Sequence, residues 1–247
     1  MSVSKSEADR AADRVRAALR RAQDPGVDDL AVIDEFRSEY LELVVFAQVL
    51  LGGLVEIIED SDPWREVAPA LEDLEGYERD SFLNVASRPK TSEAIVAKLG
   101  REHTRLSQMQ DIAGGRIIVP DKLLQDAACD AILRMTGDPQ SGVVLFREVS
   151  DTRRDGDEHG YRAVHVVVGV DGKPVELQVR TAVQQGWAQL VEGLDQRFGW
   201  DLKHGQGPRD VADWLLEMSR LGARIDSDEL PEDFEAHLPS KPAILGD

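Results

Sequence analysis

Hydrophobic and polar positions alternate along residues 160–181, GYRAVHVVVGVDGKPVELQVRT. Asp171-Gly172 separates two β-rich runs, and Asp-Gly between alternating segments is the strongest short-range hairpin signal. A two-residue turn there sets the register. Val170 then faces Lys173, Val167 faces Glu176, His165 faces Gln178 and Ala163 faces Arg180. Side chains alternate across a strand and facing residues share a side. One side therefore collects Tyr161, His165, Glu176, Gln178 and Arg180, and the other Val164, Val166, Val168, Val175, Leu177 and Val179. The aliphatic side belongs to a core. The polar side reads two ways: as a solvated outer face, or as the floor of a site, since this mixture is costly to bury without a purpose.

Around the hairpin the pattern turns helical. Residues 4–23 have a charged, amphipathic helical period that Asp24-Pro25-Gly26 breaks. A second helical stretch runs over about 27–60 and ends at Asp62-Pro63, and a third, with acids at Glu72, Asp73, Glu75, Glu78 and Asp80, covers 64–82. Those acids read as a solvated face. Residues 82–87 suit a short strand, and Thr91 caps a helix over 94–106. Strands are expected at 116–119 and 143–149, with a helix at 121–136 between them. Helices follow the hairpin at 182–198, with Trp187, Leu190, Val191 and Leu194 at core spacing, and at 209–223. The acidic, proline-bearing tail is expected to fray.

Composition narrows the class. A chain of 247 residues can bury a substantial core in one or two domains. The single cysteine, Cys129, excludes an internal disulfide framework and a multi-cysteine metal site, and its apolar surroundings make it a core filler. The N-terminus lacks the apolar segment of a secretory signal, and the apolar run 43–58 is too broken and short to span a bilayer of ~30 Å. It reads as a core or partner-facing helix, in a cytoplasmic protein without a membrane partner. Net charge is −18, which disfavours non-specific binding to nucleic acid. Residues 81–120 are the exception, with six basic and three acidic residues, and suggest a local polyanion site.

That cationic segment carries candidate chemistry. Arg88 and Lys90 precede the capped helix, and Lys98, Arg101 and Arg105 lie along one side of it. A helix N-terminus with lysines and arginines suits phosphate; a basic solvated face is the alternative. Asp111 precedes Gly114-Gly115, where the missing side chains permit a bend or close approach of a ligand. An acid there can hold a divalent ion among phosphate oxygens, or can simply be a turn residue. Residues 150–160, SDTRRDGDEHG, read as a mobile loop leading into the hairpin. No P-loop pattern is present, so any nucleotide is bound by another fold.

Taken in order, RPKTSEAIVAKL, DIAGGRIIV, GYRAVH and VELQVRT resemble the synthetase domain of the RelA/SpoT family, the alarmone synthetases. The resemblance covers about residues 85–208, and WAQL and LKHGQGP after the hairpin also look like small, single-domain synthetases. It implies an α+β fold: a mixed sheet of about five strands surrounded by helices, a nucleotidyltransferase-like synthetase fold with a helical N-terminal extension. Segments 1–82, 83–208 and 209–247 would be an acidic helical region, the pyrophosphokinase core, and a C-terminal helix with its tail. The implied reaction moves the β,γ-pyrophosphate of ATP to the ribose 3′-hydroxyl of GDP or GTP, with Mg²⁺.

Carried over by resemblance, Arg88 and Arg116 would sandwich the adenine, and Lys90, Ser92, Lys98 and Arg101 would take the ATP phosphates. Asp111 and Glu176 would hold the metal, and Glu176 would activate the hydroxyl. Tyr161 would stack on the acceptor base, with His165, Gln178 and Arg180 lining the acceptor side. Arg162 departs by parity, which points it to the other face of the sheet. The loop also lacks the tyrosine and lysine frequent in the family, leaving Arg153 and Arg154 to meet acceptor phosphates. Some small synthetases that this chain resembles are toxins paired with an antitoxin, and some use the 3′ end of tRNA as acceptor. The resemblance thus leaves tRNA, an antitoxin and a second copy open as partners. A non-catalytic binding module is the third reading.

Overall fold

The computed structural model describes residues 3–72, 83–146, 149–229 and 233–246. Six strands form one mixed sheet: β1 (Asn84–Pro89), β2 (Ala113–Val119), β3 (Val144–Leu145), β4 (Ser150–Asp151), β5 (Val164–Val170) and β6 (Lys173–Thr181). The order is β1-β2-β6-β5-β3, and β4 pairs with β5 on the same edge as β3. The expected sheet of about five strands is thus present, with its last position split in two. The expected strand over 143–149 meets this split; residues 147 and 148 lie outside the described residues.

The hairpin has the expected register, with Val170 opposite Lys173 and His165 opposite Gln178. Asp171 and Gly172 take φ of +50° and +73°, the left-handed pair that lets the turn follow the strands' twist. The aliphatic side, Val164, Val166, Val168, Val175, Leu177 and Val179, is fully buried. Strand β6 then pairs with β2 in parallel, placing Gly114 beside Glu176 and Arg116 beside Gln178. Strand β1 runs antiparallel to β2, with Arg88 opposite Gly114 and Ala86 opposite Arg116. Adjacent residues in either pairing share a face. The polar side of the hairpin is thereby continued across two more strands.

Helices cover the aliphatic side. They are α1 (Lys5–Arg20), α2 (Val27–Ser38), α3 (Leu41–Glu59), α4 (Asp62–Glu72), α5 (Ser92–Arg101) and α6 (Lys122–Gly137). Two more follow the hairpin, α7 (Ala182–Phe198) and α8 (Arg209–Asp226). The long stretch expected at 27–60 is two helices, with Glu39 and Tyr40 between them. By length and composition alone 27–59 could cross a membrane. In the fold α3 is a core helix, burying Leu43, Ala47, Leu50, Leu51, Leu54 and Ile58. Of the third expected helix, α4 holds the first part; Asp73, Glu75, Glu78 and Asp80 lie outside the described residues, as does Phe82.

Two departures from the sequence reading have simple causes. Gly114 and Gly115 lie inside β2 and make no bend. A Cβ on Gly115 would come within 2.6 Å of Leu51 Cδ1, so this glycine lets α3 lie close on the sheet. A Cβ on Gly114 would stand 2.9 Å from the Glu176 carbonyl oxygen, on the polar side. One glycine thus serves each face. The tail is also tied down near its end: Leu245 is buried with Val211, Leu215, Val191, Leu194 and Leu202 in a small second core between α7 and α8. Cys129 is a core residue, and burial pushes its thiol up to about 12.

The N-terminal helices share the main core with the sheet. Arg16, nearly buried on α1, donates from Nε to the Leu99 carbonyl at 3.2 Å and from Nη2 to that of Thr104 at 2.8 Å. Arg37 of α2 donates from Nε to the Lys90 carbonyl at 2.6 Å, fixing the chain just after β1.

Overpacking at the contact between α3 and β2 gives a direct test. Gly115→Ala is expected to destabilise the protein by about 1–3 kcal/mol in chemical denaturation. Combined with Leu51→Ala, which makes room, its cost should be smaller than in the wild-type background, a coupling that a double-mutant cycle reads.

Candidate active site

The continued polar face is the floor of a cleft of about 210 Å³. Its walls include Arg88, Lys90, Asp111, Arg116, Gln178 and Arg180. Glu176 lies on the floor with them. Three strands, the turn after β1 and the segment before β2 contribute these groups, and the registers above explain the arrangement. Arg88 and Arg116 are diagonal neighbours on one face of β1 and β2, and Glu176 lies in the same row as Arg88, with Gly114 between them.

At one end Asp111, just before β2, accepts from Lys90 Nζ at 2.8 Å and Lys98 Nζ at 3.0 Å, both to Oδ2. Burial pushes the Asp111 carboxyl up, but the two lysines outweigh it and hold the group below the ordinary carboxylate range. Thr91 caps α5 through its side chain, so Lys98 reaches the aspartate from the helix's second turn.

At the other end lies a hydrogen-bonded relay. His165 Nδ1 stands 3.0 Å from Glu176 Oε1, and its Nε2 stands 2.8 Å from the Tyr161 hydroxyl. Arg180 Nη2 donates to that hydroxyl at 2.6 Å and to Gln178 Oε1 at 3.1 Å. Gln178 Nε2 donates to Glu176 Oε2 at 2.9 Å. A carboxylate only accepts, so the Nδ1 nitrogen carries a proton; with the ring neutral, Tyr161 then donates to Nε2. Burial raises the Glu176 carboxyl, while His165 and Gln178 together hold it below its ordinary range. Burial likewise raises the Tyr161 phenol, against the lowering pull of Arg180. Arg180 also lies over the Tyr161 ring, 4.8 Å from its centroid.

Sequence reasoning missed Gln185, Glu192 and Lys203. Gln185 Oε1 accepts from both Arg116 Nη1 at 3.0 Å and Arg180 Nη1 at 2.9 Å, tying two like charges together from α7. Burial lowers the Arg116 guanidinium pKa, and the neighbouring Arg180 lowers it further. Glu192 and Lys203 form the wall opposite the sheet. The available signal was their place after VELQVRT, beside WAQL and within LKHGQGP, and one sequence does not show which turn of a helix faces a cleft.

Other residues singled out from sequence lie elsewhere. Ser92 donates to Asp34 Oδ1 at 2.8 Å, joining α5 to α2. Arg101 is exposed near the end of α5 and does not line the cleft. Arg153 is held by Asp151 and Asp126, and together with Arg154 lines a different groove. Arg162 follows its parity: it is buried and donates from Nε to Ser219 Oγ at 2.9 Å and from Nη1 to the carbonyls of Arg153 and Arg154. The expected mobile loop at 150–160 is therefore bonded from behind in this structure.

Among the described residues, three buried side-chain polar atoms have no partner: Asp111 Oδ1, Arg116 Nε and Arg180 Nε. All three belong to residues that line this cleft. Unpaired buried polar atoms are costly, and their concentration at one place marks a site completed by a ligand. The cleft offers one free carboxylate oxygen beside two lysines, then arginines, then a carboxylate engaged by neutral and cationic donors.

Known proteins give the arrangement a lineage. An uncharacterized protein of Mycobacterium tuberculosis is 30% identical over 210 residues, covering 81% of this chain and 63% of its own length. The chain thus spans less than two thirds of that relative. A Haemophilus influenzae protein named GTP pyrophosphokinase is 32% identical over 133 residues, half of this chain and 16% of that one. The crystal structure of the small alarmone synthetase 1 from Bacillus subtilis bound to its product pppGpp superposes with a TM-score of 0.58 at 24% identity, covering 79% of this chain and 93% of that one. That likeness is one of fold. Residues 87–199 match the family described as the region found in RelA / SpoT proteins. This segment, a RelA/SpoT-type region, supplies the cleft with all of its charged residues except Lys203.

Proposed function

We propose that the cleft transfers the β,γ-pyrophosphoryl group of ATP to the ribose 3′-hydroxyl of GDP or GTP. The observation that carries this reading is the set of unpartnered buried atoms on Asp111, Arg116 and Arg180, in a cleft where a phosphate-binding end faces a carboxylate end. The name of the H. influenzae relative supports the guanosine acceptor. Consumption of ATP and guanosine nucleotides suits a cytoplasmic protein.

The family implies Mg²⁺, and the residues fit it. Asp111 keeps a free, buried Oδ1, and Glu176 shares the cleft. One or two carboxylates plus substrate phosphate oxygens form a usual magnesium site. Bound between Asp111, Glu176 and the triphosphate, the ion would neutralise charge on the transferred group.

The chain's own residues supply the rest. Lys90 and Lys98 neutralise the triphosphate, and the flat guanidinium groups of Arg88 and Arg116 stack on adenine. Tyr161, held by Arg180 and His165, positions the acceptor nucleoside. The 3′-oxygen attacks the β-phosphorus as the bond from that phosphorus to the α-phosphate oxygen breaks, and AMP leaves. The hydroxyl proton passes to Glu176. Catalysis of this kind rests on positioning and charge neutralisation, with a carboxylate accepting the proton late.

The direct experiment gives the protein ATP labelled in its γ-phosphate, Mg²⁺, and GDP, GTP or tRNA in separate reactions. Labelled 3′-pyrophosphorylated GDP or GTP is the expected product, and label on tRNA alone would overturn the acceptor assignment. Glu176→Gln keeps the shape and should lower kcat about 10²–10⁴-fold with the melting temperature unchanged. Asp111→Asn should remove most activity and raise the Mg²⁺ concentration needed for the remainder.

A pH profile tests the base separately. Glu176 has a lowered pKa, so its carboxylate persists as pH falls past the ordinary glutamate value of 4.5 and is lost only below it. The acid limb of kcat should lie there in the wild type. His165→Ala removes the strongest lowering influence while burial remains, so the limb should move to higher pH. An unmoved limb would show that Glu176 does not set it.

A further inference from the structure

A second groove, of about 860 Å³, shares no lining residue with the cleft. Its cations are Lys122 at the start of α6, Arg153 and Arg154 of the loop, Arg162, and Arg220 and Arg224 on successive turns of α8. Only three acids line it, Asp151, Asp226 and Glu229, and this in a chain of net charge −18. Asp151 is engaged by Arg153. Asp226 accepts from the neutral Thr181 Oγ1 at 2.8 Å and Gln184 Nε2 at 3.3 Å, so it neutralises none of these cations by a direct bond.

Five of the six cations make no ion pair among the described residues, and Arg153 alone is paired, with Asp151 and Asp126. The side chains of Lys122, Arg154 and Arg220 make no hydrogen bond or ion pair among the described residues. Arg224 gives one hydrogen bond, from Nη2 to the Glu229 carbonyl at 3.2 Å. Like charges gathered in a concave surface repel one another unless an anion joins them. A single phosphate can be gripped by one or two guanidinium forks. Four groups from three separate elements span more than that and suit a chain of phosphates.

The groove is also wired to the backbone just before Tyr161, whose hydroxyl meets Arg180 of the cleft. Arg162 lines the groove and binds the carbonyls of Arg153 and Arg154, and its Nε donates to Ser219 of α8. Ser219 Oγ in turn donates to the Gly160 carbonyl, one residue before Tyr161. Both ends of the loop 152–160 are therefore fastened to the groove's wall. We propose that this groove is a second anion site that takes the polyphosphate chain of a small molecule, and that its occupation stiffens the loop delivering Tyr161 to the cleft. The binding part of this proposal is independent of the reaction assigned to the cleft.

Calorimetric titration of the full chain with inorganic tripolyphosphate tests it. Two binding events are expected in the wild type. The double variant Arg220→Glu/Arg224→Glu should weaken one of them roughly 100-fold and spare the other, while Lys90→Ala should affect the one that the double variant spares. Arg154→Glu, on a different element, should act like the α8 pair, which guards against a local distortion of α8; thermal melting checks that each variant folds. A single event, or two events untouched by the α8 and Arg154 changes, overturns the proposal. ATP should bind the groove about as tightly as tripolyphosphate does; binding there by ATP alone would make the nucleoside the recognised unit and overturn the polyphosphate assignment. For the coupling, hydrogen exchange of amides 152–160 should slow with tripolyphosphate in the wild type and not in the double variant; unchanged wild-type exchange refutes the stiffening.

Discussion

Glu176 is a largely buried carboxylate, and the polar face of the sheet is built around keeping that charge partnered. His165 and Gln178 bind its two oxygens, and each is held by the next group, through Tyr161 and Arg180 to Gln185 and Arg116. A buried charge without such partners would be neutralised or would destabilise the fold. The relay does more than stabilise. It fixes the Tyr161 ring and draws two arginines together at one amide oxygen, without giving either a carboxylate. The result is a surface whose remaining demand is for anion, set beside a carboxylate held ionised by its neighbours.

The same sheet answers two requirements at once. Its aliphatic face must meet α3 closely, and its polar face must leave room for substrate. The adjacent glycines of β2 divide the task, because consecutive residues of a strand point to opposite faces. Gly115 admits Leu51 and Gly114 leaves the floor beside Glu176 uncovered. The N-terminal helices are part of this support. Arg37 holds the chain at Lys90, and Asp34 holds the first turn of α5, so the lysines that grip Asp111 are placed by helices far away in sequence.

Behind the cleft, Arg162 joins the loop, α8 and the cationic groove. Its parity alone separates it from its neighbours Tyr161 and the cleft. Of two consecutive residues just ahead of β5, one thus joins the relay and the next the bracing, which places a mechanical connection beside the relay.

Local pattern was sufficient for the hairpin, its register and the two faces, because Asp-Gly allows few turn geometries and the side-chain period of a strand is two. It was sufficient, too, for the helices with strong caps, such as α5 behind Thr91. The motif order then pointed to the RelA/SpoT region that residues 87–199 match. Tertiary structure decided what depends on distant partners. Helix α3 read as a core or a partner-facing helix, and its docking on the sheet at Gly115 decides for the core. The glycines of β2 looked like a bend because composition does not show what approaches them. Arg153 and Arg154 had the right charge for the cleft, but Asp151, Asp126 and Arg162 hold them at another groove. Gln185 and Glu192 enter the cleft because α7 packs across β6, and Lys203 from the turn after α7; the LKHGQGP motif marked that turn without showing that it meets the cleft. Charge and spacing along a chain state which groups are available, and the three-dimensional packing of elements remote in sequence states which of them meet.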